Sequence, residues 1–81
     1  MYWVYFLKSE KDNSLYIGHT NDVSRRIAEH NRGQTQYLKS KRPLVLLQTI
    51  ECESREAAIR LEKEWKKGYK REEIRRKYNL K

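Results

Sequence analysis

The chain has 81 residues, enough for one small domain, with 19 lysine and arginine side chains against 11 aspartate and glutamate side chains. The formal net charge of +8 favours a polyanionic partner, nucleic acid before an acidic membrane surface; a basic surface that only solubilises the protein is the alternative. The single cysteine, Cys52, excludes an internal disulfide and a four-cysteine zinc site, and no apolar run approaches the roughly 20 residues of a membrane span.

Two strands are predicted at the start of the chain. Residues 2–7 are a dense run of aromatic and β-branched side chains, typical of a strand that is buried on both faces. Alternation along this strand puts Tyr5 on one face with the other odd-numbered side chains. A polar turn follows, and residues 15–20 return as the second strand of an antiparallel hairpin, with Tyr16 and Gly18 sharing one face.

The first helix is predicted to begin after Asn21 or Asp22, either of which can cap it, and to end near residue 31. Arg26 and His30 are spaced i, i+4, so they share one edge of this helix. The spacing therefore places an arginine and a histidine next to each other, close to the end of the second strand.

The second half of the chain predicts one further strand and two helices. A polar, basic connection at 34–42 leads to a third strand at 44–50, which is apolar enough to be the central strand of a sheet. Ser54 can cap a second helix over 55–67, and a short basic helix follows at 70–78. The order ββαβαα predicts one domain of mixed α/β structure, of the α+β class. Its three-stranded, mostly antiparallel sheet is flanked by helices.

Four residues of the first half are candidates for a functional site. Tyr5 and Tyr16 lie on neighbouring strands of one hairpin and can face the same side, although cross-strand packing is the ordinary explanation for such a pair. Arg26 and His30 lie near the strand-end glycine, and an arginine fork suits a phosphate group. A charged residue on the surface of a helix is the alternative for Arg26.

Glu62 is the informative carboxylate of the second half. Ala58, Leu61 and Trp65 predict the buried stripe of the second helix, and Glu62 falls beside that stripe. A glutamate there is costly unless it is paired or binds a cation. A salt bridge to a nearby lysine or arginine is one explanation, and an oxygen ligand for Mg²⁺ or Mn²⁺ is the other.

These residues also carry a resemblance to a known family. Trp3-Val4-Tyr5 followed by Tyr16-Ile17-Gly18 resembles the paired motif of the GIY-YIG endonuclease domain, with tryptophan in place of the first glycine. Arg26 and His30 resemble that family's first helix, and the segment 58–62 resembles its later glutamate-bearing helix. The ordered set covers almost the whole chain. The segment from Gly33 to Arg42-Pro43, and Lys67-Gly68-Tyr69 with Arg71, look most like the small stand-alone bacterial (UPF0213-like) branch, which is related to the nuclease subunit of structure-specific junction resolvases.

The resemblance implies metal-dependent hydrolysis of phosphodiester bonds in DNA that is branched, nicked or damaged, as in repair or recombination, rather than DNA of one sequence. It implies that Glu62 holds one divalent ion, Mg²⁺ or Mn²⁺. It implies that Tyr5 removes a proton from the attacking water, with a nearby cation and His30 favouring its phenolate. Arg26 would then stabilise charge on the phosphoryl group, and Tyr16 would position water or phosphate.

Six basic residues are predicted to contact the DNA backbone, which would give salt-dependent and largely sequence-neutral binding. For each residue alone, a solvated side chain is the simpler explanation. They are Arg25 on the first helix, Lys39, Lys41 and Arg42 in the connection, and Lys70 and Arg71 in the last helix.

Two other functions stay open on the sequence. One is a nucleic-acid-binding module, for RNA or ribosomes, that keeps the fold without useful turnover. The other is a scaffold subunit whose aromatic strands dock a larger protein partner. One thiol and the lack of a basic leader predict a cytoplasmic location without a membrane partner, and the sequence carries no signal for an oligomeric state.

Overall fold

The computed structural model describes residues 1–80 of the chain. Its elements follow the order ββαβαα, with an added 3₁₀ helix in the connection before the third strand, so the α+β prediction is confirmed. Within residues 1–80, no helix is long and apolar enough to cross a membrane. The elements are β1 (Tyr2–Ser9), β2 (Leu15–Thr20), α1 (Val23–Asn31), the 3₁₀ helix (Gln36–Lys41), β3 (Leu44–Cys52), α2 (Arg55–Trp65) and α3 (Gly68–Lys77).

The strands form one antiparallel sheet in the spatial order β2-β1-β3. β1 is central, and its side chains at 4–7 are each at most 1% exposed, as a strand covered on both faces requires. The prediction of a central third strand is therefore wrong. β3 is almost as apolar in sequence, but it lies at an edge of the sheet, where Val45 and Leu46 stay 40% exposed.

The two faces of the sheet carry separate apolar clusters. The first cluster packs with α2 and α3 and contains Val4, Phe6, Ile17, Ala58 and Ile74. The second packs with α1 and the 3₁₀ helix and contains Tyr5, Leu7, Ile27, Leu38 and Leu44. Odd and even positions of β1 thus belong to opposite faces, as the alternation predicts, and Tyr5 faces α1.

Side chains cap the two helices that carry candidate site residues. Asp22 accepts a hydrogen bond from the backbone N–H of Arg25 at 3.1 Å, and Ser54 accepts one from Ala57 at 3.1 Å. Gly33 follows α1 with a left-handed φ of 86°, which glycine adopts without strain. α2 ends two residues before the predicted bound, and α3 begins two residues before its own.

We expect Ser54→Ala to lower the free energy of unfolding by about 1 kcal/mol, because the backbone N–H of Ala57 loses its partner at the start of α2. Urea unfolding followed by circular dichroism measures the change. Ser40→Ala is the matched control, since Ser40 is exposed and lies outside any helix start. Equal stabilities of the two variants would contradict the assigned cap.

Candidate active site

A buried hydrogen bond between Tyr5 and His30 forms the centre of the candidate site. The Tyr5 Oη, on the central strand, lies 2.9 Å from Nε2 of His30. His30 lies near the end of α1 and is fully buried. Its second ring nitrogen, Nδ1, lies 2.5 Å from Oγ1 of Thr35. Phenol, imidazole and hydroxyl therefore form one chain of hydrogen bonds from the sheet to the segment after α1.

Gly18 makes room for the Tyr5 hydroxyl. The strand register places Gly18 directly opposite Tyr5 on β2. A Cβ atom at position 18 would lie 2.6 Å from the Tyr5 Oη and 2.7 Å from its Cζ, closer than non-bonded atoms approach. The glycine is therefore required by the ring beside it and not by its own backbone conformation.

Tyr16 and Tyr37 extend the aromatic group towards the surface. The Tyr16 ring centroid lies 6.2 Å from that of Tyr5 and 5.6 Å from that of His30. Tyr37, on the 3₁₀ helix, lies 6.4 Å from Tyr16 and is 67% exposed. The sequence does not single out Thr35 or Tyr37 as site residues, because the connection that carries them has no strand or helix periodicity.

Arg26 lies one helical turn before His30 on α1, as the sequence predicts. Its Nη1 donates a hydrogen bond to Oε1 of Glu29 at 3.0 Å, and its side chain is partly exposed. The guanidinium charge acts on both buried groups. It adds to the effect of burial on the pKa of His30, and it opposes the effect of burial on the pKa of Tyr5.

Burial keeps both members of the central pair neutral at neutral pH. Burial, together with the neighbouring Tyr16, raises the pKa of Tyr5 above its ordinary value, and Arg26 offsets this only in part. Burial also lowers the pKa of His30 below its ordinary value of about 6.5. His30 therefore acts on Tyr5 as a hydrogen-bond partner and not as a positive charge that favours the phenolate.

Glu62 is held by two basic side chains. Its Oε1 lies 2.6 Å from Nδ1 of His19, and its Oε2 lies 2.5 Å from Nζ of Lys66. Burial raises the pKa of Glu62, but the hydrogen bonds from Lys66 and His19 outweigh it and leave the pKa below its usual value. The salt bridge that the sequence leaves open is thus present, and Lys66 could have been named from its i, i+4 spacing to Glu62.

The free edge of β2 is where groups from the two faces of the sheet meet. Tyr16 belongs to the face under α1, whereas Glu62 lies on α2, and Lys66 directly follows that helix, on the opposite face. A cleft of about 190 Å³ crosses this edge and is lined by tyrosine on one side and by basic residues on the other. Its lining residues are Leu15, Tyr16, Ile17, Tyr37, Lys66 and Arg71.

The donor set of the site fits a hard divalent ion better than zinc. Within residues 1–80, no group of three or more histidine, cysteine, aspartate or glutamate side chains could hold a metal ion. Mg²⁺ is commonly held by one or two carboxylates together with substrate phosphates, so the ionised Glu62 can serve as its protein ligand. Such an ion would take the place that His19 or Lys66 now occupies on the carboxylate.

The predicted DNA-contacting residues near α1 differ in their exposure and in whether they form ion pairs within the protein. Arg25 is exposed, and Lys39 and Arg42 line a basic cleft of about 460 Å³ beside the 3₁₀ helix. Lys41 forms an ion pair with Asp12 at 2.7 Å. That carboxylate stabilises the charged form of Lys41 and raises its pKa.

The two predicted residues on α3 already have intramolecular partners. Lys70 places its Nζ 4.6 Å from the centroid of the Trp65 ring, a cation–π contact. Arg71 donates a hydrogen bond from Nη2 to the backbone carbonyl of Leu15 at 3.0 Å. Arg71 therefore supports the edge strand β2 and also lines the cleft beside it.

A family model described as the GIY-YIG catalytic domain matches residues 1–79 of the chain. The match includes every element that carries a candidate site residue. The chain therefore belongs to the GIY-YIG family, a family of nuclease domains. GIY-YIG nucleases generally use a divalent metal ion.

Within that family the chain is similar to UPF0213 proteins. It is 46% identical to the UPF0213 protein of Staphylococcus haemolyticus over 66 residues, which cover 80% of this chain and 79% of the relative. It is 36% identical to a UPF0213 protein of Staphylococcus aureus over 75 residues, 91% of this chain and 90% of the relative. The solution NMR structure of a UPF0213 protein from Bacillus halodurans matches with a TM-score of 0.54 and 36% identity, covering 91% of this chain and 82% of that one. The resemblance that the two tripeptides indicate is confirmed.

We expect Gly18→Ala to lower the free energy of unfolding by about 1–3 kcal/mol, because the new methyl group and the Tyr5 hydroxyl cannot occupy the same space. Gly68→Ala is the matched control, since a Cβ at position 68 meets no atom within 4 Å. Urea unfolding of both variants gives the comparison. The close approach would be disproved by a Gly18→Ala protein as stable as the Gly68→Ala protein.

The lowered pKa of His30 makes stability depend on pH in a defined window. The unfolded chain binds a proton at position 30 near pH 6.5, whereas the folded chain binds it only at lower pH, so this contribution is complete above about pH 6.5 and falls below it. Urea unfolding at about pH 7.5 and about pH 5.5 should show a smaller acid loss in His30→Gln than in wild type. His19→Gln is the control and keeps the loss. An undiminished loss in His30→Gln would exclude His30 as its source.

Proposed function

We propose that this protein is a DNA endonuclease that hydrolyses phosphodiester bonds with Mg²⁺ or Mn²⁺, directed by branched, nicked or damaged structure rather than by sequence. The observation that carries the proposal is the buried Tyr5–His30 hydrogen bond of 2.9 Å, with Arg26 on the same helix and Tyr16 beside both rings. The free thiol of Cys52 suits the reducing cytoplasm, to which we assign the protein.

The central pair can move a proton without forming a resting phenolate. With a hydrogen on Nδ1 donated to Thr35, the His30 Nε2 accepts the hydroxyl proton of Tyr5. The Tyr5 oxygen can then accept a proton from the attacking water as its own proton passes to His30. His30 is the final proton acceptor in this scheme, and Tyr5 is the group that touches the water.

Arg26 is suited to the negative charge of the phosphoryl group. Its guanidinium carries donors beyond the one it gives to Glu29, so it can bind a phosphate without leaving the helix surface. A phosphate next to Arg26 would also offset the cost of a positive charge on the buried His30. Tyr16, on the edge strand, lines the cleft, and its hydroxyl is the group we assign to orient water or phosphate.

Glu62 is the residue we assign as ligand of the divalent ion. Its lowered pKa keeps it ionised at neutral pH, as a metal ligand must be. When bound, the ion would supply positive charge to the phosphoryl oxygens and to the leaving oxygen. Without the ion, His19 and Lys66 orient the carboxylate at the edge of β2.

The surface charge supports binding through DNA shape. Arg25 and Lys39 are exposed, and Arg42, which also donates hydrogen bonds to the backbone carbonyls of Lys39 and Asn31, lines the cleft beside the 3₁₀ helix. Phosphate contacts by such residues carry no sequence information. Lys70 and Arg71 add positive charge on the α3 side of the free edge. Selectivity for branched, nicked or damaged DNA would then depend on which DNA structures can bring a phosphodiester to the free edge of β2.

A second function has one observation in its favour. Both oxygens of Glu62 have hydrogen-bond partners within the protein, His19 and Lys66. A nucleic-acid-binding module without turnover would keep such a closed carboxylate. The activity measurement below separates the two functions, because the module binds branched DNA and does not cut it.

We expect Tyr5→Phe, Arg26→Ala and Glu62→Gln each to reduce cleavage of branched DNA by about 10²–10³-fold in Mg²⁺ or Mn²⁺, since each loses a group that acts on the transition state. Single-turnover cleavage of a labelled junction measures the rate. Arg60→Ala and Glu64→Gln are the matched controls, as both residues are exposed on α2. Tight binding without metal-dependent cleavage by the wild type would favour the binding module, and wild-type rates in the three site variants would contradict the assigned roles.

A further inference from the structure

We propose that the cleft at the free edge of β2 is a subsite for one unpaired nucleotide next to the scissile phosphate. Tyr37 would stack on the base, and Lys66 with Arg71 would hold the phosphate of the same nucleotide. This subsite rests on the proposed nuclease function and names the feature of the DNA that the protein selects.

Tyr37 is the observation that starts the argument. Tyr37 is 67% exposed, whereas the tyrosines on β1 and β2 are buried or half-buried. The next residue, Leu38, is fully buried and anchors the 3₁₀ helix in the core. The Tyr37 ring is thus presented to solvent from a turn that packing holds in place, as a stacking platform requires.

The position of Tyr37 connects the subsite with the candidate catalytic group. Its ring centroid lies 6.4 Å from that of Tyr16, which in turn lies 6.2 Å from Tyr5. If a base stacked on Tyr37, the phosphate at Tyr5 and Tyr16 would belong to the same nucleotide or to the next one. The Nζ of Lys41 lies over the Tyr37 ring, 6.0 Å from its centroid, and adds positive charge on that face of the platform.

The basic residues that line one wall of the cleft, Arg71 and Lys66, have donors that can bind a phosphate. Arg71 uses one donor for the Leu15 carbonyl, and the ion pairs within residues 1–80 do not include it. Burial and the nearby positive charge of Arg75 lower the pKa of Arg71. A phosphate would supply the missing negative charge. Lys66 stands on the same wall and already reaches Glu62, so the phosphate it holds lies beside the proposed metal ligand.

An unpaired nucleotide is the ligand that this geometry fits. A base inside a duplex has both faces stacked, so it cannot offer a face to Tyr37. Tyrosine stacking tolerates every base, because each base has a π face. Flaps, gaps and bulges provide such a nucleotide, and fully paired DNA does not.

The test uses duplex DNA with one unpaired 2-aminopurine bulge, and the same duplex with 2-aminopurine paired, both in EDTA so that binding is measured without cleavage. Wild-type protein should quench the fluorescence of the bulged base by stacking, and Tyr37→Ala should abolish the quenching. Tyr37→Ala should also weaken binding to the bulged DNA by about 5- to 100-fold and leave paired DNA within about two-fold. Tyr37→Phe keeps the ring and should behave as wild type.

Tyr69→Ala is the matched control, because Tyr69 is 66% exposed and lies outside the cleft. The phosphate contact has a separate readout: Lys66→Met should reduce the steepness of log K against log salt by about 0.7, whereas Lys63→Met on the same helix should not. Quenching that survives in Tyr37→Ala, or equal losses in Tyr37→Ala and Tyr69→Ala, would overturn the subsite.

The two proposals fail separately. Metal-dependent cleavage by wild type without any Tyr37-dependent quenching would leave the nuclease standing and remove the subsite. Tyr37-dependent quenching in a protein that never cuts DNA would establish the nucleotide subsite and assign the chain to the binding modules instead.

Discussion

A tyrosine hydroxyl buried in the middle of a sheet needs a hydrogen-bond partner, and this need organises the candidate site. Tyr5 lies on the central strand and is 1% exposed, and His30 meets the need from a helix that packs on that face. Removing either partner would leave a buried polar group unsatisfied at a cost of about 1–3 kcal/mol. Thr35 satisfies the other ring nitrogen, and Gly18 leaves the space that the phenol occupies. One polar contact in the core therefore sets the position of α1 and of the arginine that α1 carries.

The strand order has a functional consequence. β2 is an edge strand, so the face that carries Tyr16 and the face that carries Glu62 meet where the sheet stops. With β2 in the middle of the sheet, a neighbouring strand would stand between them. Lys66 and Arg71 reach this edge from the helices on one side, and Tyr37 reaches it from the other. The cleft that they line has a wall of positive charge and a wall of aromatic rings, the two features by which proteins hold single nucleic-acid strands.

Local sequence signals predicted most of the elements and the nearness of Arg26 to His30. Period-two alternation put Tyr5 on the face that α1 covers, and side-chain capping placed the start of both helices that carry site residues. The same signals could not predict the order of the strands in the sheet. Residues 2–7 and 44–50 are both apolar, and apolarity alone does not show which of the two strands is central. The contacts of Thr35 and His19 with their partners depend on how distant segments pack, and no periodicity encodes them. Lys66 is the exception, since its spacing to Glu62 is helical.

The elements that supply the site differ in how firmly they are held. β1 is hydrogen-bonded on both sides, so Tyr5 belongs to the segment that opens only when the whole domain unfolds. α1 has nine residues, too few to persist without its docking on the sheet, and it carries both Arg26 and His30. A partial opening that releases this helix would separate His30 from Tyr5 while the sheet stays intact. For the proposed nuclease, heat inactivation would then precede the melting of the fold, and the strength of the docking of α1 would set its upper working temperature.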